Sequence, residues 1–215
     1  MTKTFFILLL LAVIAPVVIS AQVKTSIEVC PQLNEKLGIR TGMNLDIPIN
    51  SRWSFIPGVY WSLKNRAESK TKKTTNSDTK TTYKDQAQFL TLPLHFGLRV
   101  PCKNEKNFAL KILFGPYFAY GIDGTSKATI RENGTSTHHK VNAFASDGRY
   151  CYRWDYGINY GLNTVIKQHY KIGIFHELGF RKIYRANDTL GDIIGEILAI
   201  NKINIAFGLT LGYQF

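Results

Sequence analysis

The chain has 215 residues, enough for one domain, with 45% hydrophobic residues and a formal net charge of +12. That apolar content excludes a disordered chain, and three cysteines, Cys30, Cys102 and Cys151, exclude a fully paired disulfide framework. Beyond residue 21 no apolar run reaches the ~18 residues of a membrane helix, so any crossing further on has to be made by strands.

Residues 1–21 have the form of an export signal peptide. Lys3 is the positive start, Phe5 to Ile19 an uncharged apolar stretch, and Ala21 the small residue before the cut, leaving 22–215 as the mature domain. From Lys24 the sequence alternates with the period of a strand. Ile27, Val29 and Leu33 oppose Ser26, Glu28, Cys30 and Gln32. Over 37–47, Leu37, Ile39, Met43 and Leu45 oppose Gly38, Arg40, Gly42, Asn44 and Asp46. Pro48 to Ser51 reads as a tight turn. A third strand, 52–64, aligns Trp53, Phe55, Val59, Trp61 and Leu63. The next stretch, 65–83, is rich in Lys, Thr, Ser and Asn without apolar period, and is expected to be a long solvated loop.

Strands at 86–100 and 108–123 follow, joined by a short turn at 101–107. Leu90, Leu92, Leu94 and Phe96, then Ile112, Phe114, Phe118 and Tyr120, form their apolar faces. Pro93 and Pro116 interrupt these strand patterns, which argues against interior strands. A second polar loop is expected at 124–149. Strands 150–166 and 170–184 meet at a hairpin turn, 167–169, and a third long loop is expected at 185–201. In the last strand, Ile203, Ile205, Phe207, Leu209, Leu211, Tyr213 and Phe215 share one face, against Asn204, Ala206, Gly208, Thr210, Gly212 and Gln214. Small and polar residues suit the crowded inside of a narrow barrel, and bulky apolar ones suit lipid. Short turns alternate with long connections. Together these features predict an all-β fold: an eight-stranded antiparallel transmembrane up-and-down β-barrel, with both termini and the short turns in the periplasm.

The inward set of these strands holds five basic residues, Arg40, Arg99, Lys111, Arg153 and Arg181, and five acidic ones, Glu28, Asp46, Asp123, Asp155 and Glu177. Eight strands leave an interior just wide enough for side chains, so these charges are expected to pair into a plug. His138 and His139 sit in a polar stretch without metal-ligand spacing, and no cofactor or metal site is expected. From Lys64 to Lys84 there are seven basic and two acidic residues, a net +5. Lys70, Lys72, Lys73 and Lys80 are the candidate polyanion-binding residues of that segment. An exported basic barrel meets anionic lipid and lipopolysaccharide rather than nucleic acid, so these are the expected partners.

The segments Gln88-Phe89-Leu90-Thr91-Leu92-Pro93-Leu94, Phe114-Gly115-Pro116-Tyr117, Trp154-Asp155-Tyr156-Gly157 and Gly208 to Phe215, in this order and spacing, resemble the PorT-like outer-membrane β-barrel family. The resemblance spans nearly the whole mature chain. It implies an eight-stranded outer-membrane barrel with local bulges at Pro93 and Pro116, usually without an assigned activity, with one subgroup linked to protein secretion across the outer membrane. Phe215 is similar to the C-terminal aromatic that the barrel-assembly machinery reads during biogenesis. The function expected is that of an integral outer-membrane protein acting through its extracellular loops as a structural or interaction protein, without catalysis. A narrow channel or a secretion accessory is the second reading, and a rim-located enzyme the third.

Overall fold

The computed structural model describes residues 23–74, 77–101, 108–132, 135–146, 150, 152–182 and 203–215. The expected signal peptide at 1–21, Cys102, Cys151 and the expected loop at 185–201 lie outside them. The described residues form nine strands: β1 (Lys24–Leu33), β2 (Lys36–Pro48), β3 (Trp53–Thr74), β4 (Ser77–Val100), β5 (Phe108–Glu132), β6 (Thr135–Asn142), β7 (Trp154–Ile166), β8 (Tyr170–Lys182) and β9 (Ile203–Gln214). Every pairing is antiparallel, in the order β4-β3-β2-β1-β9-β8-β7-β5-β6, with a further pairing of β4 to β5. Eight strands therefore close into a ring, which is not evenly barrel-shaped, and β6 stands outside it on β5.

Period-two alternation carries through to the side chains. Ile27, Val29, Leu90, Leu92, Ile112, Ile172, Ile174, Leu209 and Leu211 all point out and are exposed, while Ser26, Glu28, Arg40, Asn44, Asn159 and Thr210 are buried inside. A soluble protein would be the reverse, so the solvent of this outer belt is apolar. Aromatic residues flank the belt at both ends. Trp53 packs edge-on to Phe114 near the short turns, and Tyr120 and Trp154 lie 4.6 Å apart at the other end. We call these the turn end and the hairpin end.

Two expected loops are strands instead. β3 and β4 stay paired from Trp53↔Leu98 to Thr74↔Ser77, so 65–83 is the outer part of one long hairpin. β5 runs on to Glu132 and folds back as β6, which takes up much of 124–149. Neither segment has an apolar period because neither has a face toward lipid: where they are buried, as at Arg66 and Ser126, the buried side chains are polar. Thr and Ser still suit strands there. The bulges expected at Pro93 and Pro116 are also absent. The β3–β4 ladder skips Gly58 and Val59 opposite Leu92 and Pro93 with unchanged register on either side, so the missing proline N–H costs ladder bonds rather than an inserted residue. The bulge in β4–β5 lies instead between Gln88 and Phe89, where Ile122 is the extra residue between Gly121 and Asp123.

Candidate functional site

The lumen is built from the inward side chains of all eight ring strands. Near its middle Glu177 from β8 is completely buried (0% exposed) and accepts from Lys64 of β3, itself 1% exposed, and from Arg40 of β2 at 3.4 Å. The Arg40 guanidinium also lies over the Tyr60 ring, 4.0 Å from its centroid. Glu28 of β1 pairs with Lys171 of β8 at 2.5 Å and accepts from Asn44 at 2.6 Å and Tyr60 at 2.7 Å. Toward the turn end Lys111 pairs with Asp46 and reaches Ser54 at 3.4 Å. Toward the hairpin end Asp155 accepts from Tyr117 at 2.9 Å and Asn204 at 2.5 Å. These carboxylates thus have partners on other strands, which ties the ring together across its interior.

Above Asp155 an apolar cap of Ala87, Phe89, Tyr117, Ala119, Ala143 and Tyr150, with Phe144 against it, closes the hairpin end. Phe144 and Tyr150 come from the chain after β6, which folds back over the ring. Between Arg40, Glu28, His95 and Asn159 remains a void of about 20 Å³, room for one water. Larger hollows lie at the ends. One of about 280 Å³ at the turn end is lined by Lys24, Asp46, Arg99 and Lys111, and one of about 390 Å³ at the hairpin end by Lys36, Arg66, Lys84, Asp85 and Lys127.

The ten charges expected inside divide. Glu28, Arg40, Asp46, Lys111, Asp155 and Glu177 are buried in the lumen. Arg99 lines the turn-end hollow, directly across the ladder from Lys111. Arg153 precedes β7, donates to the carbonyls of Gly121 and Ile122 at 3.1 and 3.2 Å, and stacks on Phe144. It braces the bulge rather than the lumen. Arg181 lies over the Tyr152 ring at 4.0 Å. Asp123 is outside: it is exposed and accepts from the Gly124 N–H. The bulged Ile122 shifts the alternation by one residue and turns Asp123 to the opposite face.

Lys64, Arg66, Asp85 and Lys171 are buried charges missing from the expected network. Their signal was the inward parity itself: Ser62-Lys64-Arg66 on β3 and Asp85-Ala87-Phe89 on β4, running from expected strands into the stretch read as loop, and Lys171 on the parity of Glu177 within the expected strand 170–184. His138 and His139 fall on opposite faces of β6, at positions opposite Thr129 and Ala128, so they form no dyad. Among the described residues no group of three or more His, Cys, Asp or Glu could hold a metal ion. His176, on the belt side of β8, rests against Tyr160 at 5.1 Å. Of the four candidate lysines, Lys80 is exposed on the outer face of the β3–β4 hairpin, and the side chains of Lys70, Lys72 and Lys73 lie outside the described ones. Phe215 is exposed, its N–H donates to Thr25 at 2.8 Å, and its ring packs edge-on to Tyr213.

No curated protein matches the chain. Among solved structures it is similar to Ail, the attachment invasion locus protein of Yersinia pestis, at 12% identity, covering 90% of this chain and 96% of that one with a TM-score of 0.31. The N-terminal β-barrel domain of Pseudomonas aeruginosa OprF matches at 10% identity, 89% and 97% coverage and TM-score 0.33. Neisserial surface protein A matches at 9% identity, 89% and 94% coverage and TM-score 0.34. At such scores these likenesses decide nothing about activity. The sequence profile of the outer membrane protein beta-barrel domain, however, matches residues 18–185. With the closed antiparallel ring and its outward apolar belt, the chain therefore belongs to the outer membrane protein beta-barrel domain family.

Proposed function

We propose that this protein is a closed, non-catalytic outer-membrane barrel that works as a structural or interaction protein through its hairpin end, which faces outside. The observation that carries this reading is the pairing of the lumen charges, above all Glu177 between Arg40 and Lys64. Ions would have to pass these pairs, the single-water void and the aromatic cap. Purified protein in planar bilayers is therefore expected to show no steady conductance. A stable, ion-selective current would replace this reading with that of a narrow channel.

The orientation has its own test. Trypsin added to intact cells should cut between Lys70 and Lys80 and spare Lys167, in the exposed turn between β7 and β8. The opposite pattern would turn the barrel over. Export by a signal peptide cut after Ala21, and recognition of Phe215 by the assembly machinery, complete the proposed route to the membrane. The charge-then-apolar pattern of residues 1–21 and the alternation running into Phe215 support them. The ordered motifs from Gln88 to Phe215 support placement in the PorT-like family. Lipopolysaccharide is the proposed surface partner, favoured by the exposed Lys80 and Lys84 and by the net +3 that residues 67–84 keep once the buried Lys64 and Arg66 are set aside.

A further inference from the structure

The outward face of the β4–β5–β6 extension sets cations directly against one another. Lys84 on β4 pairs with Lys127 on β5, and Lys127 with Lys140 on β6, so three lysines lie across adjacent strands within ~10 Å. Further out on the same face Lys80 stands opposite Arg131. All five are exposed, and among the described residues none of them meets a carboxylate. Between the two basic rows runs a row of hydroxyl and imidazole groups. Ser69 is 3.2 Å from Thr82, and Thr129 is 3.1 Å from His138. The acidic residues Glu68, Asp85 and Glu132 fall at inner-face positions of the same strands.

Like charges directly opposite in a sheet destabilise it, and a face that met only water would do better with alternating signs. At the foot of the first row lies the hairpin-end hollow of about 390 Å³, bordered by the cations Lys36, Arg66, Lys84 and Lys127, by one carboxylate, Asp85, and by Asn65, Gln86 and Thr125. That volume fits a sugar-sized group. On β4 this face descends through Gln86 and Gln88 to Leu90 and Leu92 of the belt, a run of ~20 Å from Lys84 to Leu90. A lipid standing against Leu90 and Leu92 would bring its headgroup region toward these cations. Charge complementarity and continuity with the belt name the same occupant.

From this juxtaposition we infer that Lys80, Lys84, Lys127, Arg131 and Lys140 form a docking surface for the phosphorylated sugar headgroups of outer-leaflet glycolipid. The inference rests on the proposed outward orientation of the hairpin end, and a wrong orientation would show in the trypsin test, independently of any binding result. Of the lysines singled out in the sequence it retains Lys80 and adds partners from β5 and β6.

The test is a titration of the purified full chain in detergent with rough lipopolysaccharide. K84Q/K127Q/K140Q should lose at least about tenfold in affinity at low salt, and should converge with the wild-type protein at high salt. K24Q/R52Q/K167Q removes three charges at the turn end and should stay within about twofold of wild type. Lipopolysaccharide stripped of its phosphates should bind wild type as weakly as the first variant binds the intact lipid. Millimolar inorganic phosphate should not compete. Equal losses in both variants, undiminished binding of the stripped lipid, or displacement by free phosphate would each overturn the inference. Folding is checked by the shift in gel mobility on heating. Should the triple variant fail to fold, K127Q, which takes out the middle of the row, should lose about fivefold. No loss with K127Q would overturn the inference as well.

Discussion

Glu177→Ala is expected to destabilise the folded barrel by about 3–5 kcal/mol, because it strands two buried cations at once. Lys64 and Arg40 both direct their charge at this carboxylate from strands on other parts of the ring. The lumen offers them a void with room for one water in exchange. The measurement is the denaturant midpoint of the barrel in detergent, followed by tryptophan emission. Replacing the whole cluster, with Arg40→Met, Lys64→Met and Glu177→Leu together, should recover much of the loss, since the desolvation cost then disappears along with the attraction. A Glu177→Ala barrel as stable as the wild type would mean that water reaches these groups, and would revive the channel reading.

Deleting Phe215 should have the opposite signature, a large effect in cells and a small one in vitro. Its side chain is 66% exposed at the edge of the belt, so the folded state gains little from it. Refolded in detergent, the shortened protein should stay within about 1 kcal/mol of the full chain. In cells, insertion into the outer membrane should fall several-fold and the uninserted chain should be degraded, because the proposed assembly signal is gone. Normal levels of inserted protein would end the assembly-signal claim. A large stability loss in vitro would shift the role of Phe215 to the seam, where its N–H meets Thr25 and its ring meets Tyr213.

The sequence made the ring legible wherever one face of a strand meets lipid. Leu90-Leu92 and Ile172-Ile174 alternate with polar or small residues because the two sides of each strand lie in different media. Above the belt neither face meets lipid, the apolar alternation vanishes, and hydrophobic pattern no longer reports backbone conformation. That is why 65–83 and 124–149 read as loops, and why Arg66 and Asp85 were missed although they are buried and continue the inward parity. Asp123 shows a second kind of failure. One inserted residue, Ile122, reverses every later assignment on β5, and nothing in the local composition announces it. The same reversal, followed through the ladder, aligns Lys127 with Lys84 and Lys140. Local sequence showed that the segment was basic, but only the register showed which cations stand side by side.

The ring also fixes an order of events. β3 and β4 are neighbours in sequence and pair from Thr74↔Ser77 downward, so their contacts are local at the tip and can form early. The seam is the extreme opposite: Ser26 meets Gln214 and Leu33 meets Phe207. No strand order lets β1 find its second partner before β9 has been made and delivered. Until then β1 carries an open edge, and with it a row of unpaired backbone groups. Loop closure over nearly the full domain makes this step slow, and the open edge is the surface at which an early-arriving copy would pair wrongly with another. Closure of β1 on β9 is thus the step at which the rate of barrel formation and the risk of aggregation are decided together.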